Sequence, residues 1–347
     1  MLTKKLCYNF LKQNFLEVFA VRSFFDRYFI KAMGAMAQGL FASLIIGTIF
    51  NQLAKIPYLD FLSNFTAQIG AASPVVGSAI GVAVAFSLGA KGLLLFTGAV
   101  TGAIGYALGG PVGAYIAAVI GNEVGSLVAG KTKLDIILTP SVTIISGGFV
   151  GVFVGPYINQ FMTWLGSFIN EATEMAPIPM GIIISAVVGM ALTAPISSAA
   201  ICISIGINGI AAGAACVGCC CQMVGFAVAS LRENGFGGMV SQGVGTSMLQ
   251  FPNILKRPAI WLAPTLASAV LGPVSTAILQ MKNTSTGAGM GTSGFVGQFG
   301  AFEAMGASVP TAITVMLMHF IFPAVLTLSF DLVFRKLGWV RKGDMKI

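Results

Sequence analysis

An all-α polytopic membrane protein is the fold class this sequence predicts, and three observations predict it. Hydrophobic residues make up 56% of the 347-residue chain, charged residues only 9%, and the mean hydropathy is +0.89. Apolar runs of about 20 residues, enough helix to cross the hydrocarbon core, recur from one end to the other. Forty-four glycines suit helices that pack closely in lipid, because small residues let backbones approach. A water-soluble domain with so few charges would precipitate.

Residues 1–31 contain Lys4, Lys5, Lys12, Arg22, Arg27 and Lys31 with no uninterrupted apolar core, so they do not read as a cleavable signal peptide. They read as a basic amphipathic segment on the cytoplasmic leaflet, touching it through Phe10, Phe15, Phe19, Phe24 and Phe25. A transmembrane domain over residues 32–334 follows, with apolar spans near 33–53, 72–90, 92–108, 111–130, 136–155, 178–193, 196–213, 214–231, 259–280 and 309–333. Residues 335–347, with Arg335, Lys336, Arg341, Lys342 and Lys346, form a basic tail. Ten spans with both termini inside put Lys91, Lys131, Lys133, Arg232, Lys256 and Arg257 on the cytoplasmic side and leave only Lys55 and Lys282 outside. The net charge of +8 is therefore positive-inside charge, not a nucleic-acid footprint.

That topology requires residues 234–255 to return to the side they came from. They are Gly-rich and polar, and so are residues 283–306, which are too short and too polar to span. The two segments share the string Gly-x-Gly-Thr-Ser: Gly243, Gly245, Thr246 and Ser247 correspond to Gly289, Gly291, Thr292 and Ser293, with Gln250 and Gln298 following. Non-helical backbone survives at membrane depth only where protein or a water-filled cavity covers it. Two re-entrant hairpins are expected, one from each side, with tips meeting near the midplane; coincidence in a Gly-rich chain is the other account of the shared string. A weaker internal repeat at an offset near 100 residues aligns Pro74 with Pro179, Asn122 with Gln222, Val124-Gly125 with Val224-Gly225 and Gly155-Pro156 with Gly272-Pro273.

Polar residues inside apolar segments are few, and each implies a partner or a site. Glu123 either snorkels toward Lys131 or Lys133 or, with Asn122, faces a polar path. Glu303 either ties its hairpin together or accepts hydrogen bonds from a solute's hydroxyls. His319, the single histidine, is a proton relay, a ligand, a phosphoryl acceptor or a satisfied core residue. Gly289-x-Gly291-x-x-Gly294 fits a dinucleotide fingerprint but has no βαβ unit around it. Cys216, Cys219, Cys220 and Cys221 lack a second Cys/His pair in sequence and read as reduced packing residues. Neither a cofactor, nor a metal site, nor a catalytic constellation is expected.

The stretches TAPISSAAICISIGINGIAAGAA (193–215), VGTSMLQFPNILKRP (244–258) and GAGMGTSGFVGQFGAFEAMG (287–306) resemble the membrane IIC component of the bacterial sugar phosphotransferase system. Within it, they resemble most the IIC-like group that includes the perfringolysin O regulator. The resemblance spans nearly the whole chain from about residue 20. It implies a homodimer in the bacterial inner membrane, with a dimerisation half, a substrate half and Glu303 as the sugar-hydroxyl ligand. The chain departs from that pattern in having its only histidine in the last span and no IIA or IIB domain, so phosphorylation would need separate proteins.

These readings converge on a carrier for a sugar or similar small polar solute, working by alternating access around a midplane site. Glu303, Gln298, Thr292 and Ser293 would hold the solute from one hairpin, with Thr246, Ser247 and Gln250 facing them; Asn122, Glu123 and His319 complete the candidates. Two other accounts stay open: a membrane-embedded sensor that regulates gene expression through a cytoplasmic partner, and an ion-coupled carrier without phosphotransfer. By itself the chain is not expected to be an enzyme.

Overall fold

The computed structural model describes residue 24 and residues 26–66, 68–70, 73–194 and 197–347. Most of the basic amphipathic segment expected over residues 1–31 lies outside them. Among the described residues every regular element is helical. Besides short turns such as Ser63–Thr66, they are in order α1 (Asp26–Asn51), α2 (Pro74–Ser87), α3 (Leu93–Ser126), α4 (Asp135–Phe153), α5 (Gly155–Met175), α6 (Pro177–Thr193), α7 (Ser198–Ile205) and α8 (Gly209–Ala229). After them come α9 (Leu231–Val240), α10 (Phe251–Lys256), α11 (Pro258–Ile278), α12 (Ser285–Ala288), α13 (Val296–Met305) and α14 (Val309–Lys336). Among the described residues six of these, α1, α3, α4, α8, α11 and α14, are long and apolar enough to cross a membrane; α2 and α6 are shorter apolar helices.

The spans expected at 92–108 and 111–130 are the two arms of α3, which bends back at Gly110 (φ 59°, ψ −156°). Pro111 forces the bend, because it disfavours helical backbone in the residue before it, and Gly110 permits it, because only glycine takes that φ without a Cβ clash. The arms are antiparallel and nearly touch: a Cβ on Gly105 would lie 2.6 Å from the Ala117 Cβ, and one on Gly125 would lie 2.7 Å from Leu94 Cδ1. Small residues set the neighbouring crossings as well. A Cβ on Gly81 of α2 would stand 2.9 Å from Gly102 Cα, one on Gly39 of α1 2.7 Å from Ile80 Cα, and one on Gly151 of α4 3.0 Å from Gly105 Cα. Around these crossings Met36, Leu40, Val76, Ile80, Val84, Ala114 and Ala118 form one buried cluster.

Residues 156–177, which the span pattern left as a connection, form the amphipathic helix α5. It starts against Gly109, beside the α3 bend, bonds through Asn170 Oδ1 to the Asn208 amide (3.2 Å) and ends where α6 begins. Both its ends lie at the same end of the molecule, so it runs across that end and joins the α1–α4 group to the rest. Tyr157, Phe161, Trp164 and Phe168 stay exposed on it.

α8 is the axis of the second group, with 94% of its most apolar 18-residue window buried. The Gly-rich zone 196–231 divides at 206–208 rather than at 213/214, because Gly206 ends α7 in a left-handed cap. Around α8 stand α6, α11 and α14: a Cβ on Gly218 would be 2.7 Å from Ser185 Cα, and one on Gly225 2.6 Å from Thr327 Oγ1. Ser185 donates to the Ser268 carbonyl (2.8 Å) and Ser268 to the Gly218 carbonyl (3.2 Å), polar glue of the kind that apolar surroundings favour. The aligned Gly155-Pro156 and Gly272-Pro273 pairs take different places, one starting α5 and the other inside α11 ahead of a π-turn.

The last residues fold back under this group. Met345 is fully buried beside Phe226, Ile254 and Ile260, and its carbonyl accepts from Asn234 Nδ2 and Gln250 Nε2, both at 2.8 Å.

Candidate functional site

Residues 283–305 fold back on themselves. Asn283 Nδ2 donates to the Gly297 carbonyl (2.9 Å), and a Cβ on Gly300 would lie 3.1 Å from Gly287 Cα. The outgoing limb is laid against the middle of α8: a Cβ on Gly291 would be 2.8 Å from the backbone carbon of Cys219, so only glycine allows this approach. The returning limb is α13, and Glu303 sits in its last turn.

Glu303 lines an open cavity of about 530 Å³. Around it stand Asn51 of α1, Ser63, Thr66, Tyr106 and Pro111 at the α3 bend, and Ser285 and Thr286 of α12. Ser63 and Thr66 donate their hydroxyl protons to the Asp60 and Ser63 carbonyls (2.6 and 2.9 Å), which leaves their oxygens as acceptors. Glu303 makes no hydrogen bond or ion pair among the described residues. The wall thus offers a carboxylate, several hydroxyls and an amide beside the Tyr106 ring. Such a surface accepts hydrogen bonds from a polyhydroxylated molecule and covers its apolar face.

The two Gly-x-Gly-Thr-Ser strings meet. Thr292 Oγ1 donates to the Gly243 carbonyl (2.5 Å) and Ser293 Oγ to the Gly245 carbonyl (2.9 Å). The meeting point faces Met223 to Ala227 of α8, past that helix's centre toward its C-terminal end. The first string stays beside the C-terminal part of α8 and the second reaches to it. Their hydroxyls lace the two segments together rather than facing Glu303. Thr246 caps the 247–250 turn through a bond from the Met248 amide (3.1 Å), and with Ser293 it lines a separate, mainly apolar cavity of about 290 Å³.

The other candidates are drawn elsewhere. Ser247 is within 2.8 Å of Thr193 Oγ1, in a chain that continues through Gln222 to Thr265 and Trp261. Gln250 holds Gln242, Asn253 and the Met345 carbonyl. Gln298 Nε2 lies 2.9 Å from His319 Nδ1, both residues in the core. Asn122 is buried in α3, while Glu123 pairs with Arg27 of α1 at 2.6 Å rather than with Lys131 or Lys133, because the α1 start packs beside that turn of α3. Of the ten candidates, Glu303 alone lines the cavity of about 530 Å³.

Three features escaped sequence reasoning. Asn51, Ser63, Thr66 and Tyr106 lie in separate segments with no shared pattern, and only the fold gathers them. Cys216, Cys220 and His319 converge although 99 residues separate Cys220 from the histidine (319 − 220). Asp331, 3% exposed, bonds Arg335 (2.7 Å), which also reaches Glu233 (3.1 Å); the Asp331/Arg335 spacing of four is the signal that could have shown it.

A protein-family model described as "Phosphotransferase system, EIIC" matches residues 30–347. No curated protein and no solved structure matches the chain.

Proposed function

The chain belongs to the phosphotransferase-system EIIC family, and on that premise we propose that it carries a sugar or similar polyhydroxylated solute bound at Glu303. The observation that carries this reading is a carboxylate without a partner among the described residues, on the wall of a hydroxyl-lined cavity large enough for a small solute. Glu303 accepts two solute hydroxyls, Asn51 and Thr286 orient the ring, and Tyr106 covers its apolar face. Thr292, Ser293, Thr246, Ser247, Gln250, Gln298, Asn122, Glu123 and His319 act away from that cavity, holding together the helices and segments that carry it. Residues 234–255 and 283–306 are re-entrant hairpins, and alternating access moves the Glu303 limb against the α1–α3 wall. Binding biases the two states only as far as the solute discriminates between them.

Separate IIA and IIB proteins supply the phosphoryl group, and the chain works as a homodimer in a bacterial inner membrane. Arg27, Lys131, Lys133, Arg257 and Arg335 gather at one end of the molecule and Lys55 and Lys282 at the other, which supports both termini on the cytoplasmic side.

Thermal unfolding of the purified protein against a panel of sugars, polyols and sugar acids tests this. A ligand at about 100 times its Kd stabilises the folded state by about 2.7 kcal/mol. A hit that Glu303→Gln abolishes, with the variant still folded and dimeric, is expected; a hit that the variant keeps assigns the solute to another site.

A further inference from the structure

Outside that cavity, the core holds a cluster of soft donors. Cys216 and Cys220 are four residues apart on α8 and so share a face, and α14 places His319 against them within a π-turn at Leu317–Ile321. Such π-turns occur frequently at functional positions. Cys216, Cys220 and His319 are fully buried, and their ligand atoms all lie within 4.8 Å of one another. Cys216 Sγ is 3.9 Å from His319 Nε2. The other ring nitrogen is 2.9 Å from Gln298 Nε2, and Gln298 Oε1 is buried without a partner among the described residues.

From this arrangement we infer a zinc site formed by Cys216, Cys220 and His319, with Gln298 behind the histidine. Two thiolates and an imidazole are a three-ligand set that zinc accepts, leaving its fourth position to water. Zinc bonds of about 2.3 Å to sulfur and about 2.0 Å to nitrogen put tetrahedral donors roughly 3.5–3.8 Å apart, so the 3.9 Å Cys216–His319 separation closes with a shift of tenths of an ångström and a donor pair as far apart as 4.8 Å with one of about 1 Å. The donor set and tetrahedral geometry favour zinc, and charge requires a divalent ion. Zn²⁺ with two thiolates and a neutral imidazole is electrically neutral, as a site inside an apolar bundle must be. Each thiol gives up one proton to solvent as its Zn–S bond forms, so binding releases two protons.

Ligating histidines hold their second ring N–H against an acceptor, which fixes the tautomer. Half a turn of the Gln298 amide presents its unpartnered oxygen to His319 Nδ1–H, gives up the 3.8 Å contact of Gln298 Nε2 with Cys220 Sγ, and leaves the His319 Nε2 lone pair for the ion. Cys219 and Cys221 sit on the same helix but point away. Cys219 Sγ faces the Val188 and Ala288 carbonyls, and Cys221 packs among Ala267, Leu271 and Met318. They are internal controls.

Full-length protein, purified in detergent without a polyhistidine tag and dialysed against a weak chelator, should retain about one Zn²⁺ per chain by elemental mass spectrometry. Loading with Co²⁺ should give thiolate-to-cobalt charge-transfer and tetrahedral d–d bands. Cys220→Ser and His319→Gln should each lower retained metal at least about tenfold, and Gln298→Leu should weaken binding about tenfold. Cys219→Ser and Cys221→Ser should retain it. Unaltered protein that holds no zinc and shows no thiolate–cobalt band overturns the site without recourse to any variant. Full retention in Cys216→Ser/Cys220→Ser overturns it equally.

Discussion

At the scale of single residues, burial decides what a charge is worth. Arg335 joins Glu233 and Asp331, whose side chains are 5% and 4% exposed, whereas Arg27 meets Glu123 with side chains 47% and 32% exposed. Removing one partner of a buried pair leaves uncompensated charge and costs about 3–5 kcal/mol, while an exposed pair contributes about 1 kcal/mol or less. Arg335→Ala should therefore lower the thermal midpoint sharply and Arg27→Ala hardly at all. Equal shifts would show that the Arg335 cluster is screened by solvent. The Glu303 carboxylate, by contrast, is legible in sequence as an acid in an apolar segment, but its neighbours Asn51, Ser63 and Tyr106 are not. Nothing local marks a hydroxyl that will line a cavity.

At the scale of elements, glycine sets the distance between helices. A Cβ on Gly81 would be forced toward the backbone of α3, while one on Gly34 meets nothing within 4 Å. Overpacking a tight crossing costs about 1–3 kcal/mol. Gly81→Ala should depress the unfolding midpoint, and Gly34→Ala should leave it unchanged or raise it slightly, since alanine is the better helix former. A neutral Gly81→Ala would mean that α2 slides freely on α3. Composition announces close packing in general, but it does not say which of 44 glycines stand at a crossing. The Gly110-Pro111 bend was legible, since both spans expected there are arms of α3. The amphipathic α5 was not, because a helix lying across one end of a bundle has no span-like run.

At the scale of the whole molecule, orientation is the testable property. The exposed positions Lys133 and Lys282 fall at opposite ends of the bundle. In a Cys7→Ser background, with the described cysteines all buried, Lys282→Cys should react with an impermeant maleimide on intact cells and Lys133→Cys only after the membrane is opened. The reverse pattern would overturn the positive-inside assignment. Sequence by itself determined the membrane class, the basic asymmetry and the likeness of the two Gly-x-Gly-Thr-Ser strings, because hydropathy, charge and local repeats are properties of consecutive residues. Tertiary structure alone decided where those strings meet along α8, that their hydroxyls lace segments together instead of facing Glu303, and that Cys216, Cys220 and His319 share one buried space. Those outcomes depend on how helices far apart in sequence cross, and crossing is set by close packing, which no single stretch of the chain encodes.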